Sequence, residues 1–255
     1  MKVLINTHPL TSGHKTRGIG FYTKNLIESL KKIDKLEIIE SNENSSDSID
    51  LVHYPFFDLF QKTLLINKSI PTIVTVHDVI PLVFSSHYPP GLKGRFRLFS
   101  QKNSLKKVQR IITDSECSKK DINKFLKIPL DKISVVYLAP SKEFKQIKDQ
   151  KVLDTAKTKY KLPNEFVLFT GSVNWNKNLL NLTKACIDTD TDLVLVGKDF
   201  EDKNNLNHTE RKSYADFLNK FSQNPKVHIL GFIEMEDLVV LYNLAKCILL
   251  PSFYN

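Results

Sequence analysis

No run of apolar residues in this 255-residue chain approaches the roughly 18–20 needed to cross a bilayer. The opening Met1-Lys2-Val3-Leu4-Ile5-Asn6 carries too short an apolar stretch for a signal peptide. Cysteine is scarce: Cys117, Cys186 and Cys247 are odd in number, far apart and without metal-ligand spacing. That excludes a disulfide scaffold, argues against a zinc site and fits the reduced thiols of a cytoplasmic protein. Arginine is scarcer than the net charge of +9 suggests, since only 5 of the 37 basic residues are Arg. Lysine-rich usage of this kind follows from a biased genome and is no sign of nucleic-acid binding. No recognition motif supports such a partner either. The excess charge is concentrated: residues 91–127 hold eleven basic side chains and three acidic ones.

What the chain does have is a regular alternation. Short apolar, largely β-branched runs fall at 3–6, 36–40, 50–53, 72–76, 110–113 and 133–137, then at 166–170, 192–196, 227–230 and 247–250. They do not alternate with polar residues, which is how strands covered on both faces read. Stretches with helical spacing lie between them, among them 20–32, 115–127, 178–188 and 236–245. The pattern is βαβ, so the fold class is α/β with two Rossmann-like, doubly wound domains. The first domain is expected over 1–145 and the second over 164–255. A lysine-rich linker, 146–163, joins them and carries one helix near 151–160. The second series stops just past a strand with no covering helix after it, so the second domain is expected to be incomplete.

Ligands of open parallel sheets bind beyond the carboxyl ends of the strands. The first strand is followed, eleven residues on, by Gly18-Ile19-Gly20-Phe21-Tyr22 opening a helix. Glycines there let backbone N–H groups approach an anion, or simply let a tight loop form. The third strand leads into His53-Tyr54-Pro55-Phe56-Phe57, which suits either a cleft lining or core packing. The fourth ends in His77-Asp78-Val79-Ile80-Pro81, where a histidine followed by a carboxylate suggests chemistry. The fifth ends in Asp114-Ser115, whose plainest role is a helix cap. In the second domain, Gly171-Ser172 precedes Lys177-Asn178 at a helix start, a place for a phosphate. Gly18 and Gly20 with Glu40 imitate a dinucleotide fingerprint, but the eleven-residue gap and Thr23 at the third glycine position speak against it. On a helical wheel over 94–110, Arg95, Lys102, Lys106, Lys107 and Arg110 share an arc with Phe96 and Phe99, opposite Leu98, Leu105 and Val108. A basic face carrying aromatics suits the surface of an anionic membrane, or a solvated face.

Taken in order, these pieces resemble the retaining GT-B glycosyltransferases of family four, the group 1 glycosyl transferases. The marks are Arg17-Gly18-Ile19-Gly20-Phe21-Tyr22, Thr75-Val76-His77-Asp78-Val79-Ile80-Pro81, Thr113-Asp114-Ser115-Glu116-Cys117-Ser118, Gly171-Ser172 with Lys177-Asn178-Leu179, Leu195-Val196-Gly197-Lys198, and His228-Ile229-Leu230-Gly231-Phe232. The last mark runs from Asp237 to Leu250-Pro251-Ser252. No single motif decides, but their order and spacing are specific. The resemblance implies transfer of a hexose from a nucleotide-diphospho-sugar to a glycan or lipid-linked acceptor, with retention and without metal or cofactor. It assigns His77 and Lys177 to the reaction. Gly18, Gly20, Gly171, Ser172, Lys177 and Asn178 fall to the donor, and His53, Tyr54, Asp78 and Ser115 to the acceptor side. Family members acting on lipid-linked acceptors imply a cytoplasmic protein that can sit at the inner membrane face through 94–110. Two family glutamates would follow the Pro-Ser-aromatic segment. Here Asn255 either replaces the first or precedes it, so a non-catalytic sugar-nucleotide-binding remnant is the alternative.

Overall fold

The computed structural model describes every residue except 44–47, 65, 67–68 and 255, so the expectation about Asn255 lies outside the described residues. Internal contacts divide the chain into two compact units, Met1–Ala139 and Pro140–Asn255. The first unit is built from β1 (Lys2–Asn6), α1 (His8–Thr11), α2 (Gly18–Leu30), β2 (Glu37–Ser41), β3 (Leu51–Tyr54) and β4 (Thr72–Thr75). It continues with α3 (Ile80–Val83), α4 (Gly91–Leu105), β5 (Arg110–Thr113), α5 (Glu116–Asp121) and β6 (Ile133–Val135). The second contains α6 (Gln150–Lys159), β7 (Val167–Thr170), α7 (Leu179–Asp188), β8 (Leu193–Val196), α8 (Lys212–Phe221), β9 (Val227–Gly231), α9 (Met235–Leu244) and β10 (Cys247–Ile248).

All ten expected strands are present among the described residues, and every pairing between them is parallel. The first sheet runs β2-β1-β3-β4-β5-β6 and the second β10-β7-β8-β9. The apolar runs do not alternate because both faces of each sheet are covered. Val3 and Ile5 pack with Ile27 of α2 on one side, while Leu4 joins Val52, Val74 and Ile111 on the other. In the second unit Val167, Phe169, Leu193 and Leu195 face α7 and α8 through Leu182, Cys186, Tyr214 and Phe217. Phe166, Leu168, Val194 and Val196 face Leu241 of α9. Side chains of a strand point alternately up and down, so both sets must be apolar.

Four details differ from the sequence expectation. The helix expected over 115–127 stops at Asp121 and continues as a π turn, Ile122–Leu126, ending at a left-handed Lys127. The basic helix expected over 94–110 starts at Gly91 and ends at Leu105, so Arg110 belongs to β5. α8 carries a strongly amphipathic pattern that the sequence reading did not single out. Within residues 146–163, α6 packs on α9, where Lys159 and Tyr160 both reach the Asp237 carboxylate.

Candidate functional site

Parallel strands put all the loops that follow them at one sheet edge. Each sheet also has a switch point, between β1 and β3 in the first and between β7 and β10 in the second. There the covering helices leave in opposite directions and a crevice opens.

At the first switch point, α2 starts immediately after Arg17, with Gly18 and Gly20 in its first turn. Tyr22, one turn beyond Gly18, reaches back over the sheet. Its hydroxyl lies 3.1 Å from Thr75 Oγ1 and its ring meets the His77 ring edge-on at 4.8 Å. His77 leaves the end of β4 with both ring nitrogens engaged: Nδ1 is 2.6 Å from Asp114 Oδ2 and Nε2 is 3.2 Å from the Pro55 carbonyl oxygen. His14 lies against Phe56, ring centroids 4.5 Å apart, and burial together with the Arg17 charge lowers its pKa. The edge thus brings His77, Asp114, Tyr22, Pro55 and the 12–17 loop together.

The acceptor-side residues fall differently. His53 and Tyr54 are 5% and 2% exposed, so both side chains lie within the unit, under the edge and not on it. His53 Nε2 bonds Thr75 Oγ1 at 2.9 Å, and burial, with His77 as the second cause, pushes its pKa down to about 4. Asp78 is exposed but its carboxylate accepts the Ile80 N–H at 2.9 Å, closing the turn into α3. Ser115 is the N-cap of α5, accepting the Ser118 N–H at 3.1 Å. The plain cap role read from the sequence is the one its side chain performs.

At the second switch point the loops after β7 and β10 are knitted together. The Phe253 N–H donates to the Asn176 carbonyl at 2.8 Å, Asn178 Nδ2 donates to the Pro251 carbonyl at 3.2 Å, and the Trp175 and Phe253 rings lie 4.8 Å apart. Asn178 adopts a left-handed backbone before α7 and spends its side chain on Pro251 and Asn181. Gly171 donates its N–H to Val196 and presses its carbonyl on Gly197, where a Cβ would come within 2.1 Å. Ser172 is half-buried beside it. Lys177 stands half-exposed next to the α7 N-terminus, and no ion pair to it occurs among the described residues. Asn176, the residue before it, is buried. The arrangement is one cation and the positive end of a helix dipole at a sheet's carboxyl edge, which suits a phosphate.

Sequence reasoning missed Asp114 as a partner of His77, and it missed Thr75 and Tyr22 as the groups beneath and beside it. The only available signal was position: Thr75 and Asp114 both stand at strand ends, and Tyr22 lies one turn into α2.

Comparison with known proteins agrees with this layout. The profile described as Glycosyltransferase Family 4 matches residues 15–139, and that described as Glycosyl transferases group 1 matches 152–255. The Escherichia coli serotype-specific mannosyltransferase WbdA is 23% identical over 191 residues, covering 72% of this chain and 23% of its own. The Escherichia coli O-antigen chain mannosyltransferase B is 27% identical over 191 residues, covering 72% of this chain and 47% of its own. This chain therefore spans less than half the length of either relative. Among solved structures, sucrose-phosphate synthase from Thermosynechococcus elongatus superposes with a TM-score of 0.69 at 15% identity, over 100% of this chain and 76% of that one. HepE from Anabaena, in complex with UDP-glucose, gives 0.64 at 15% identity, over 99% and 74%. At such identity the likeness establishes the fold, which is GT-B. With the two profiles together matching 15–139 and 152–255 and both sheets built as the fold requires, the chain belongs to the group 1 glycosyl transferases.

Proposed function

We propose that the protein transfers a hexose from a nucleotide-diphospho-sugar to a glycan or lipid-linked acceptor, with retention and without a metal or other cofactor. The donor occupies the second unit and the acceptor the first. The observation that carries this reading is Lys177, a cation without an ion-pair partner among the described residues, beside the α7 N-terminus at a switch point. As the sugar leaves, the nucleoside diphosphate gains negative charge. An ammonium and a helix dipole at that place stabilise the developing charge more than the bound ground state. Among the carboxylates at the first edge, Asp78 is tied to the α3 turn and Asp114 to His77. Both carry structural hydrogen bonds, and the family resemblance implies front-side displacement rather than a covalent intermediate as the route to retention. The mannosyltransferase relatives and the UDP-glucose complex of a neighbour support nucleotide sugars as donors.

The test is calorimetry with UDP and GDP on the wild type and Lys177→Ala. The variant is expected to bind the preferred nucleotide about 1.5–3 kcal/mol more weakly, as for loss of a charged hydrogen bond. An unchanged dissociation constant would make Lys177 an ordinary surface residue and overturn the assignment. Nucleotide binding with no transfer or hydrolysis of any UDP- or GDP-hexose would favour the binding-remnant alternative.

The same reading places the protein in the cytoplasm, at the inner face of an anionic membrane. The contact is made by α4. Leu92, Phe96 and Phe99 are 87%, 77% and 66% exposed and share one face. Lys93, Arg95 and Lys106 flank that face, and residues 79–113 hold seven Lys or Arg and no Asp or Glu. Lys102 contributes less than the wheel suggested, because its ammonium donates to the Phe125 carbonyl at 3.0 Å. No helix among the described residues is long and apolar enough to cross a membrane.

A further inference from the structure

His77 is gripped unequally from its two sides. The Pro55 oxygen can only accept, so Nε2 carries a hydrogen, and their 3.2 Å separation is at the long end for a neutral bond. Nδ1 faces a carboxylate at 2.6 Å, and a second hydrogen must lie between them, since two lone pairs would repel. That bond falls at the short end of the charge-assisted range. Asp114 has little freedom of its own. It sits between Thr113, paired with Val135 in the sheet, and Ser115, which caps α5. Its other oxygen, Oδ1, is buried with no hydrogen-bond partner among the described residues, so no rival donor turns the carboxylate away. Thr113 Oγ1 donates to the His77 carbonyl at 3.3 Å, and the Tyr22 ring closes the side.

An incoming oxygen that competes for the Nε2 hydrogen therefore displaces the weak bond and leaves the strong one in place. We infer that Asp114 is a positioning residue: it fixes the plane of the His77 ring so that Nε2–H is the group presented to a hydroxyl or phosphate oxygen of the substrate. The inference rests on the reading of His77 as part of the reaction site.

The test combines nuclear magnetic resonance of the histidine ring nitrogens with a double-mutant cycle on turnover. In the free wild type, both His77 ring nitrogens are expected to show attached hydrogens, the one on Nδ1 strongly downfield. In Asp114→Asn the downfield signal is expected to vanish while the unfolding midpoint stays within a few degrees. With the donor that the wild type turns over, Asp114→Asn is expected to lower kcat about 10- to 100-fold, the range of one hydrogen bond to a charged group, with KM little changed. In a His77→Gln background the same substitution is expected to add no further loss. A downfield signal that survives in Asp114→Asn, or losses that multiply, would show that Asp114 does not act through His77. If the ring signals behave as expected but His77→Gln turns over normally, the placement of His77 has failed and the inference falls with it. The ring signals are read on the free protein, so they decide the pairing independently of whether the transferase reading holds.

Discussion

His53, a residue that suited either a cleft lining or core packing, is buried. His53 stands at the carboxyl end of β3, which suggests a cleft residue, yet it accepts its place through Thr75 Oγ1 beneath the edge. Thr75 is fully buried and also meets the Tyr22 hydroxyl, so the three side chains form one buried polar string. Such a string is stable while every member is paired and neutral. Burial, then the nearby His77, depresses the His53 pKa to about 4 from an ordinary value of 6.5. As pH falls below 6.5 the unfolded chain takes up a proton that the folded chain refuses. The contribution is thus complete above pH 6.5 and drains away towards pH 4, at most about 3 kcal/mol. Denaturant midpoints of wild type and His53→Gln, followed from pH 7 to 4.5, are expected to converge as the wild type loses this contribution. Parallel slopes in the two proteins would mean that His53 titrates as it does in the unfolded chain.

Among elements, the start of α2 carries the clearest constraint. The loop after β1 folds back so closely that a Cβ on Gly20 would lie 2.4 Å from the His14 carbonyl oxygen and 2.5 Å from that of Lys15. Backbone cannot yield as a flexible side chain does, so Gly20→Ala must push the loop off the helix. A cost of about 1–3 kcal/mol is expected, as for other overpacking, together with displacement of His14 from Phe56. Gly18 has nothing within 4 Å of the same position, so Gly18→Ala is expected to be close to neutral. Thermal unfolding of the two variants side by side provides the check, and equal midpoints would show that the loop is not held against the helix. The sequence marked both glycines for backbone approach to an anion. The structure separates them: a Cβ at Gly20 would meet the backbone of the preceding loop, whereas one at Gly18 would meet nothing. The loops that follow β7 and β10 show a second tertiary constraint, because the bonds from Phe253 to Asn176 and from Asn178 to Pro251 join segments more than seventy residues apart.

On the scale of the whole molecule, the net charge of +9 matters through its distribution. The stretch without acidic residues, 79–113, includes α4, and the exposed ridge of Leu92, Phe96 and Phe99 lies opposite the buried Gly94, Gln101 and Leu105. Lysines and arginines near an anionic bilayer each contribute about 1 kcal/mol, screened by salt, while aromatic rings at the boundary add binding that salt does not remove. Co-sedimentation is expected to show binding to phosphatidylglycerol-containing vesicles that weakens as salt rises. It is expected to fall about tenfold or more in Phe96→Ser/Phe99→Ser, since each ring loses burial worth up to about 1.5–3 kcal/mol. Equal binding to neutral and anionic vesicles, or none at low salt, would remove the membrane from the account. Self-association of the free protein, abolished by the same pair of substitutions, would assign the ridge to a second copy instead.

Alternating apolar and helical segments determined the α/β class and the succession along the chain of the ten strands among the described residues, because burial on both faces of a strand leaves a local, readable signature. The family was legible for a related reason: its motifs sit in the loops that immediately follow those strands, at spacings the strands dictate. Tertiary structure alone decided which strand lies beside which, and hence where the switch points are. It also decided that Asp114, thirty-seven residues from His77, is the carboxylate that holds it, and that His53 and Tyr54 lie under the edge. Periodicity fixes which way a side chain points along its own element. The neighbour it meets there is fixed only when strands distant in sequence are laid side by side.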